Sequence, residues 1–179
     1  MAKSAEKVES ADKIDVVEQI NSAEQEDFNF DKNVTVKSIA NWNTGFARVS
    51  TIGDVMIPPN GSIRLTRSEI IAQSQVGNVL FNGIDGLGTH ATLFIDDAAT
   101  RVYLGFESED GSVQQDVFSD TKVKDAFKLS AKSFEEACVN SFRTRAEKYA
   151  LIEAIKRLNL NDYSKIRFVE KYTGYKVEA

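Results

Sequence analysis

At Ser119 the apolar residues change their spacing, from strand-like alternation before it to a helical repeat after it. Alternation puts successive side chains on opposite faces of a pleated strand, and spacing by three and four puts them on one helix stripe. Upstream, Val34 and Val36 share a face, as do Val55 and Ile57, Ile63 and Leu65, and Leu93 and Ile95. Downstream, Val123, Ala126 and Phe127 follow the helical rule, and so do Leu151, Ala154, Ile155 and Leu158. Strands followed by helices, with no βαβ alternation, define an α+β chain. The reading is a small antiparallel β-sandwich or barrel-like module over residues 31–118, then a helical module over 119–179.

Turn chemistry divides the first module. Val55 and Ile57 run into Pro58-Pro59-Asn60-Gly61, after which Ile63 and Leu65 alternate again; this predicts a hairpin with a four-residue loop. A second hairpin is expected around Asp96-Asp97-Ala98-Ala99-Thr100, with Val102, Leu104 and Phe106 alternating beyond it. One short helix interrupts the strands. Thr66 and Glu69 have capping-box spacing ahead of Ile70 and Ile71, and Gly77 is a stop. In the second module Ser133 with Glu136 and Thr144 with Glu147 repeat that spacing. Asn161 is placed to cap a last helix carrying Ile166, Val169 and Tyr172 inward, closed by Gly174.

Charge sets the ends apart. Residues 1–30 hold three Lys and eight Asp/Glu and so carry −5, the net charge of the whole chain. Residues 141–177 hold nine Lys/Arg and four Asp/Glu and so carry +5. The leader contains neither Gly nor Pro, and its few apolar residues cannot offset the cost of ordering it. It is expected to be a disordered acidic arm or to fold on a partner. If about 150 residues fold, roughly 68–70% of the unfolded surface can be buried, enough for an unaided core. No apolar run approaches the roughly 20 residues that span a bilayer, and no secretory signal is visible, so no membrane partner and a soluble, cytosolic nascent chain are expected.

Few groupings suit catalysis or a cofactor. Gly86-Leu87-Gly88-Thr89-His90 matches the surroundings of the subtilisin-type histidine, but the Gly-Thr-Ser nucleophile setting is missing, and His90 is expected to enter a strand. The same glycines lack the Lys-Ser/Thr pair of a phosphate loop. Asp96-Asp97 and Glu107-Ser108-Glu109-Asp110-Gly111 lack calcium-loop spacing and read as solvated turns. Cys138 is the only cysteine; it lies on an apolar stripe and reads as a buried small hydrophobe. With one histidine, most acid–base schemes lack parts. No catalytic, cofactor or metal residues are assigned.

Docking residues are easier to name. Arg143, Arg145, Lys156, Arg157, Lys165 and Arg167 stand on the capped helices near the C-terminus, with aromatic residues interleaved. Phe28 and Phe30 are the leader's only aromatics, and Trp42, between two asparagines, reads as a residue at the rim of the core that can anchor a partner. A helix pair over residues 144–174 also matches the outline of a helix-turn-helix DNA reader, although Glu147, Glu153, Asp162 and Glu170 dilute its field.

Taken together, the strand-rich stretch from Val34 to Phe106, the segment Ala146-Glu147-Lys148-Tyr149-Ala150-Leu151-Ile152-Glu153-Ala154-Ile155 and then Asn161-Asp162-Tyr163 resemble small structural proteins of tailed bacteriophages, of the head-decoration or head/tail-accessory type. The resemblance implies a non-enzymatic role in the virion: docking on a capsid or other virion protein, as a homo-oligomer or as copies on a lattice. A DNA-associated regulator using residues 144–174 is the alternative, and a small hydrolase with a carboxylate pair or metal a third.

Overall fold

The structure is a computed structural model that describes residues 28–177. Residues up to Phe30 belong to one unit and those from Asp31 to another. Of the first, only 28–30 are described, where the Phe28 and Phe30 rings meet edge to face at 5.0 Å. The expectation for the acidic arm falls on residues 1–27, outside the described part.

From Asp31 the chain is α+β, with antiparallel sheets and seven helices among the described residues. Strand β1 (Asn33–Ser38) lies between β4 (Ser62–Thr66) and β5 (Leu93–Ile95), pairing Val34 with Leu65 and Val36 with Ile95. Strands β2 (Thr44–Ala47) and β3 (Asp54–Ile57) form a second sheet, with Phe46 opposite Val55. The alternating residues face one core of Val34, Val36, Val55, Ile57, Leu65, Leu93 and Ile95, joined by Ile70, Phe81 and Phe106. Each such side chain, fully buried, contributes roughly 1.5–3 kcal/mol.

Two expected hairpins are corrected. The strands flanking Pro58-Pro59-Asn60-Gly61 do not pair with each other, because the turn hands the chain from one sheet to the next. Asn60 N donates to Ala40 O and Ser38 N to Gly61 O, so the turn pairs with the end of β1. The turn suits its residues: Asn60 takes a φ of 51°, and a Cβ on Gly61 would lie 2.6 Å from Pro58 Cγ. The second hairpin is instead β5 followed by helix α3 (Ala98–Tyr103). Asp97 caps it, accepting from Thr100 N at 3.1 Å and Thr100 Oγ1 at 2.6 Å, which favours a helical turn over a strand reversal. The strand module therefore carries three short helices where one was expected: α1 (Arg67–Gln75), α2 (Val79–Asn82) and α3.

Two acids, Glu69 buried and Asp97 half-buried, brace this module. Glu69 is fully buried and accepts from Val49 N, Ser50 N, Ser50 Oγ and Gln73 Nε2, pinning the turn between β2 and β3. Burial alone would raise its pKa, but these hydrogen bonds together outweigh it and hold the carboxyl down at about 2. Asp97 is likewise pushed up by burial, and held down at about 2 by Thr100, Lys32 and Arg67.

The helical module follows as α4 (Asp120–Lys128), α5 (Ala131–Ser141), α6 (Arg145–Arg157) and α7 (Tyr163–Thr173). Its core is separate: Val123, Phe134, Cys138, Phe142, Leu151, Ile152, Ala154, Ile155 and Val169. Helix α5 begins after Ser130 rather than Ser133, and α7 is capped by Asp162 rather than Asn161. Gly174 closes α7 at φ 77°, a left-handed stop that glycine takes without steric cost.

Candidate functional site: an aromatic and basic corner

The corner is set by the start of α6. Thr144 Oγ1 accepts from Glu147 N at 3.2 Å, and Glu147 Oε2 accepts from Thr144 N and Arg143 N, both at 2.9 Å. This is the expected capping box. Its carboxylate has a second duty that the sequence did not disclose: Oε1 lies 2.7 Å from His90 Nδ1, and both side chains are buried. With Oε2 already accepting from three donors, counting Thr144 Oγ1, the carboxylate serves here as an acceptor, and His90 Nδ1–H donates to Oε1. His90 does not enter a strand; it sits in a turn at φ 58°, and its N–H donates to Asp116 O. One buried pair thus fastens the 83–92 loop of the strand module to the first turn of α6.

That fastening fixes what surrounds Arg145, the first residue of α6. Its guanidinium lies 4.8 Å from the Trp42 ring centroid, and its Nε donates to Tyr175 Oη at 3.2 Å. Tyr149 meets Tyr175 edge to face at 5.5 Å. One turn along, Lys148 Nζ sits 4.3 Å from the Tyr172 centroid, Phe168 and Tyr172 stack at 6.0 Å, and Tyr172 Oη donates to Phe142 O at 2.8 Å. Burial first, and then the neighbouring Cys138 and Glu147 side chains, push the Tyr172 phenol up, so its hydroxyl remains a donor.

The named docking candidates separate into groups. Trp42, half-buried, and Arg145, exposed, are brought together. Arg143 is exposed beside them. Lys156 pairs with Glu153 at 3.4 Å and Arg157 with Asp120, so each of these exposed cations has an acid of the same chain beside it. Lys165 turns inward, donating to Phe127 O at 2.6 Å and pairing with Asp162 at 3.3 Å. Arg167 is exposed and leans on Tyr163. Phe28 is half-buried and Phe30 exposed in their own unit. Among the described residues Arg143, Arg145, Lys148, Arg167 and Lys171 form no ion pair with any acid. Lys148 and Tyr172, from the basic stretch with interleaved aromatics, and Tyr175, a reasonable anchor on the same sequence reading as Trp42, complete the corner together with Tyr149, which that reading does not name. The i, i+3 and i, i+4 spacing of Arg145, Lys148 and Tyr149 was the available signal.

Elsewhere, acids and thiol have structural duties. Asp96 pairs with Lys37 and Glu107 with Arg101. Asp110 closes a turn with Ser108 and Ser112, whose hydrogen bonds hold its carboxyl down at about 2. Cys138 is fully buried, and burial, with the Glu135 charge second, pushes its thiol up to about 12. No group of three His, Cys, Asp or Glu among the described residues could hold a metal ion. An open groove of about 430 Å³ lies between α4 and the α6–α7 connection, lined by Lys124, Phe127, Lys128 and residues 159–162. No described helix is long and apolar enough to cross a membrane. Compared with known proteins, the chain matches no family model, no curated protein and no solved structure.

Proposed function

We propose that this chain is a non-enzymatic docking protein of the tailed-phage virion type, holding a shell protein through the outward side of α6 and α7. The observation that carries the reading is the division of cations. Lys122, Lys156, Arg157 and Lys165 are paired with acids of the same chain, Lys156 and Arg157 at the surface, whereas Arg143, Arg145, Lys148, Arg167 and Lys171 form no ion pair with a described acid. Charges left unpaired beside aromatic anchors are what a docking surface needs for steering and for hot-spot contacts. The strand module supplies shape, with its two sheets contributing inward residues to one core in the manner of a small sandwich. Weak single contacts become adequate when many linked copies sit on a lattice.

The DNA-reading alternative has less support, because Lys156, Arg157 and Lys165 each stand beside an acid of the same chain, which dilutes a phosphate-tracking row. A mass-spectrometric inventory of purified virions tests the proposal, together with rebinding of the full-length chain to particles lacking it. Stoichiometric presence, and rebinding lost on changing Arg143, Arg145 and Lys148 together to Glu, is the expected result. Absence from particles, or rebinding indifferent to those charges, contradicts it.

A further inference from the structure

We infer that the corner built by Trp42, Arg145 and Tyr175 receives a carboxylate side chain from an acidic, extended segment of the partner protein; this rests on the docking reading and names the chemistry of its occupant. Three stretches of chain converge there: the β1–β2 connection brings Trp42, the first turn of α6 brings Arg145, and the residues after α7 bring Tyr175. The cation–π contact with Trp42 and the bond from Nε to Tyr175 Oη hold the guanidinium in place. Neither contact uses the two terminal nitrogens, which carry no hydrogen bond to a described residue. A planar head, fixed in orientation with a parallel pair of donors free, matches a carboxylate in bidentate fashion.

Its neighbours extend the charge: Arg145 stands in the first turn of α6, whose amides and dipole the Glu147 carboxylate already answers. Arg143 precedes that turn and Lys148 lies three residues after Arg145, neither in an ion pair with a described acid, so several carboxylates on one segment can be met in succession. Nucleic acid fits less well. Single strands bind by stacking bases on free ring faces, yet Arg145 already covers Trp42, Lys148 covers Tyr172, and Phe168 stacks on Tyr172.

The test is fluorescence anisotropy of a labelled octaglutamate peptide with the full chain, with a labelled oligothymidylate as competitor chemistry. Arg145→Ala should weaken peptide binding roughly tenfold, and Arg145→Lys should recover little of it, since an ammonium lacks the fork. Tyr175→Phe, which keeps the ring and removes only the hydroxyl, should weaken binding about two- to threefold. Lys156→Ala with Arg157→Ala should stay within about twofold, because those charges are already paired. No saturable peptide binding, or an Arg145→Ala chain with unchanged melting temperature that binds as well as the parent, overturns the inference. Tighter binding of the oligothymidylate, lost with Arg145, also overturns it in favour of a nucleic-acid partner. If particle rebinding survives Arg145→Ala while peptide binding is absent, docking stands and this assignment falls. If peptide binding depends on Arg145 but particles are not bound, the docking reading falls instead.

Discussion

Replacing Glu147 by Gln should destabilise the protein far more than its isosteric shape suggests. The carboxylate is 1% exposed and accepts four hydrogen bonds: from His90 Nδ1, Arg143 N, Thr144 N and Thr144 Oγ1. An amide offers one acceptor oxygen and places an NH₂ on the other side. In one orientation that NH₂ confronts the Arg143 and Thr144 amides; in the other it faces His90 Nδ1, which can accept from it only if the ring proton moves to Nε2. Leaving a buried donor without a partner, or forcing that tautomer change, costs about 1–3 kcal/mol. A loss of about 1–3 kcal/mol is therefore expected, a sizeable share of the roughly 5–15 kcal/mol that holds an average domain folded. Urea unfolding at neutral pH measures it, followed by helical circular dichroism and by fluorescence of Trp42, the only tryptophan, which sits against Arg145. With two separate cores, the variant should also lose coincidence of the two probes, the Trp42 signal changing first. A loss below about 1 kcal/mol with coincident transitions would refute the claim that this pair fastens α6 to the strand module.

Other consequences are simpler. The Glu69 carboxyl, held at about 2 against an ordinary 4.5, lends stability that is complete above pH 4.5 and drains away as pH falls toward 2. This is worth about 3 kcal/mol, so Glu69→Gln should weaken the protein at neutral pH and flatten its acid-unfolding profile in that window. Gly83→Ala would bring a Cβ to 1.9 Å from Thr89 O, whereas Gly111→Ala, also at positive φ, meets nothing. Denaturation should show about 1 kcal/mol lost at Gly111 and several times that at Gly83. Cys138, with its thiol at about 12, should resist an aromatic disulfide reagent at pH 8 until denaturant is added; prompt labelling of the folded chain would contradict its burial.

Local patterns were readable in the sequence and distant pairings were not. Alternation at Val34 and Val36, the Thr66 cap, the Thr144–Glu147 capping box and the Gly174 stop each rest on residues within one or two turns, and the structure has them; the Glu69 half of the expected Thr66 box is absent, its carboxylate going to Val49, Ser50 and Gln73. The turn at Pro58-Pro59-Asn60-Gly61 was legible as a turn, but its residues do not specify which strand β3 joins; that depends on β2 and on Ala40. At 97–103 the alternation of Val102 and Leu104 competed with an Asp97–Thr100 cap, and the cap won because its side-chain bonds also recruit Arg67 and Lys32. The candidate site was half legible. Unpaired charge on α6 could be suspected, but Trp42 and Arg145 lie far apart in sequence, and so do His90 and Glu147, 57 residues from each other. No local rule brings such pairs together.

Footprinting of the full chain on particles, by hydrogen exchange or radical labelling against the free chain, addresses the docking claim most directly. Protection should gather at Trp42, at residues 143–149 and at 171–175, while the β2–β3 turn around the exposed Ile52 stays open. Protection confined to that turn or to the strand module, with α6 and α7 labelled as in the free chain, would contradict the account.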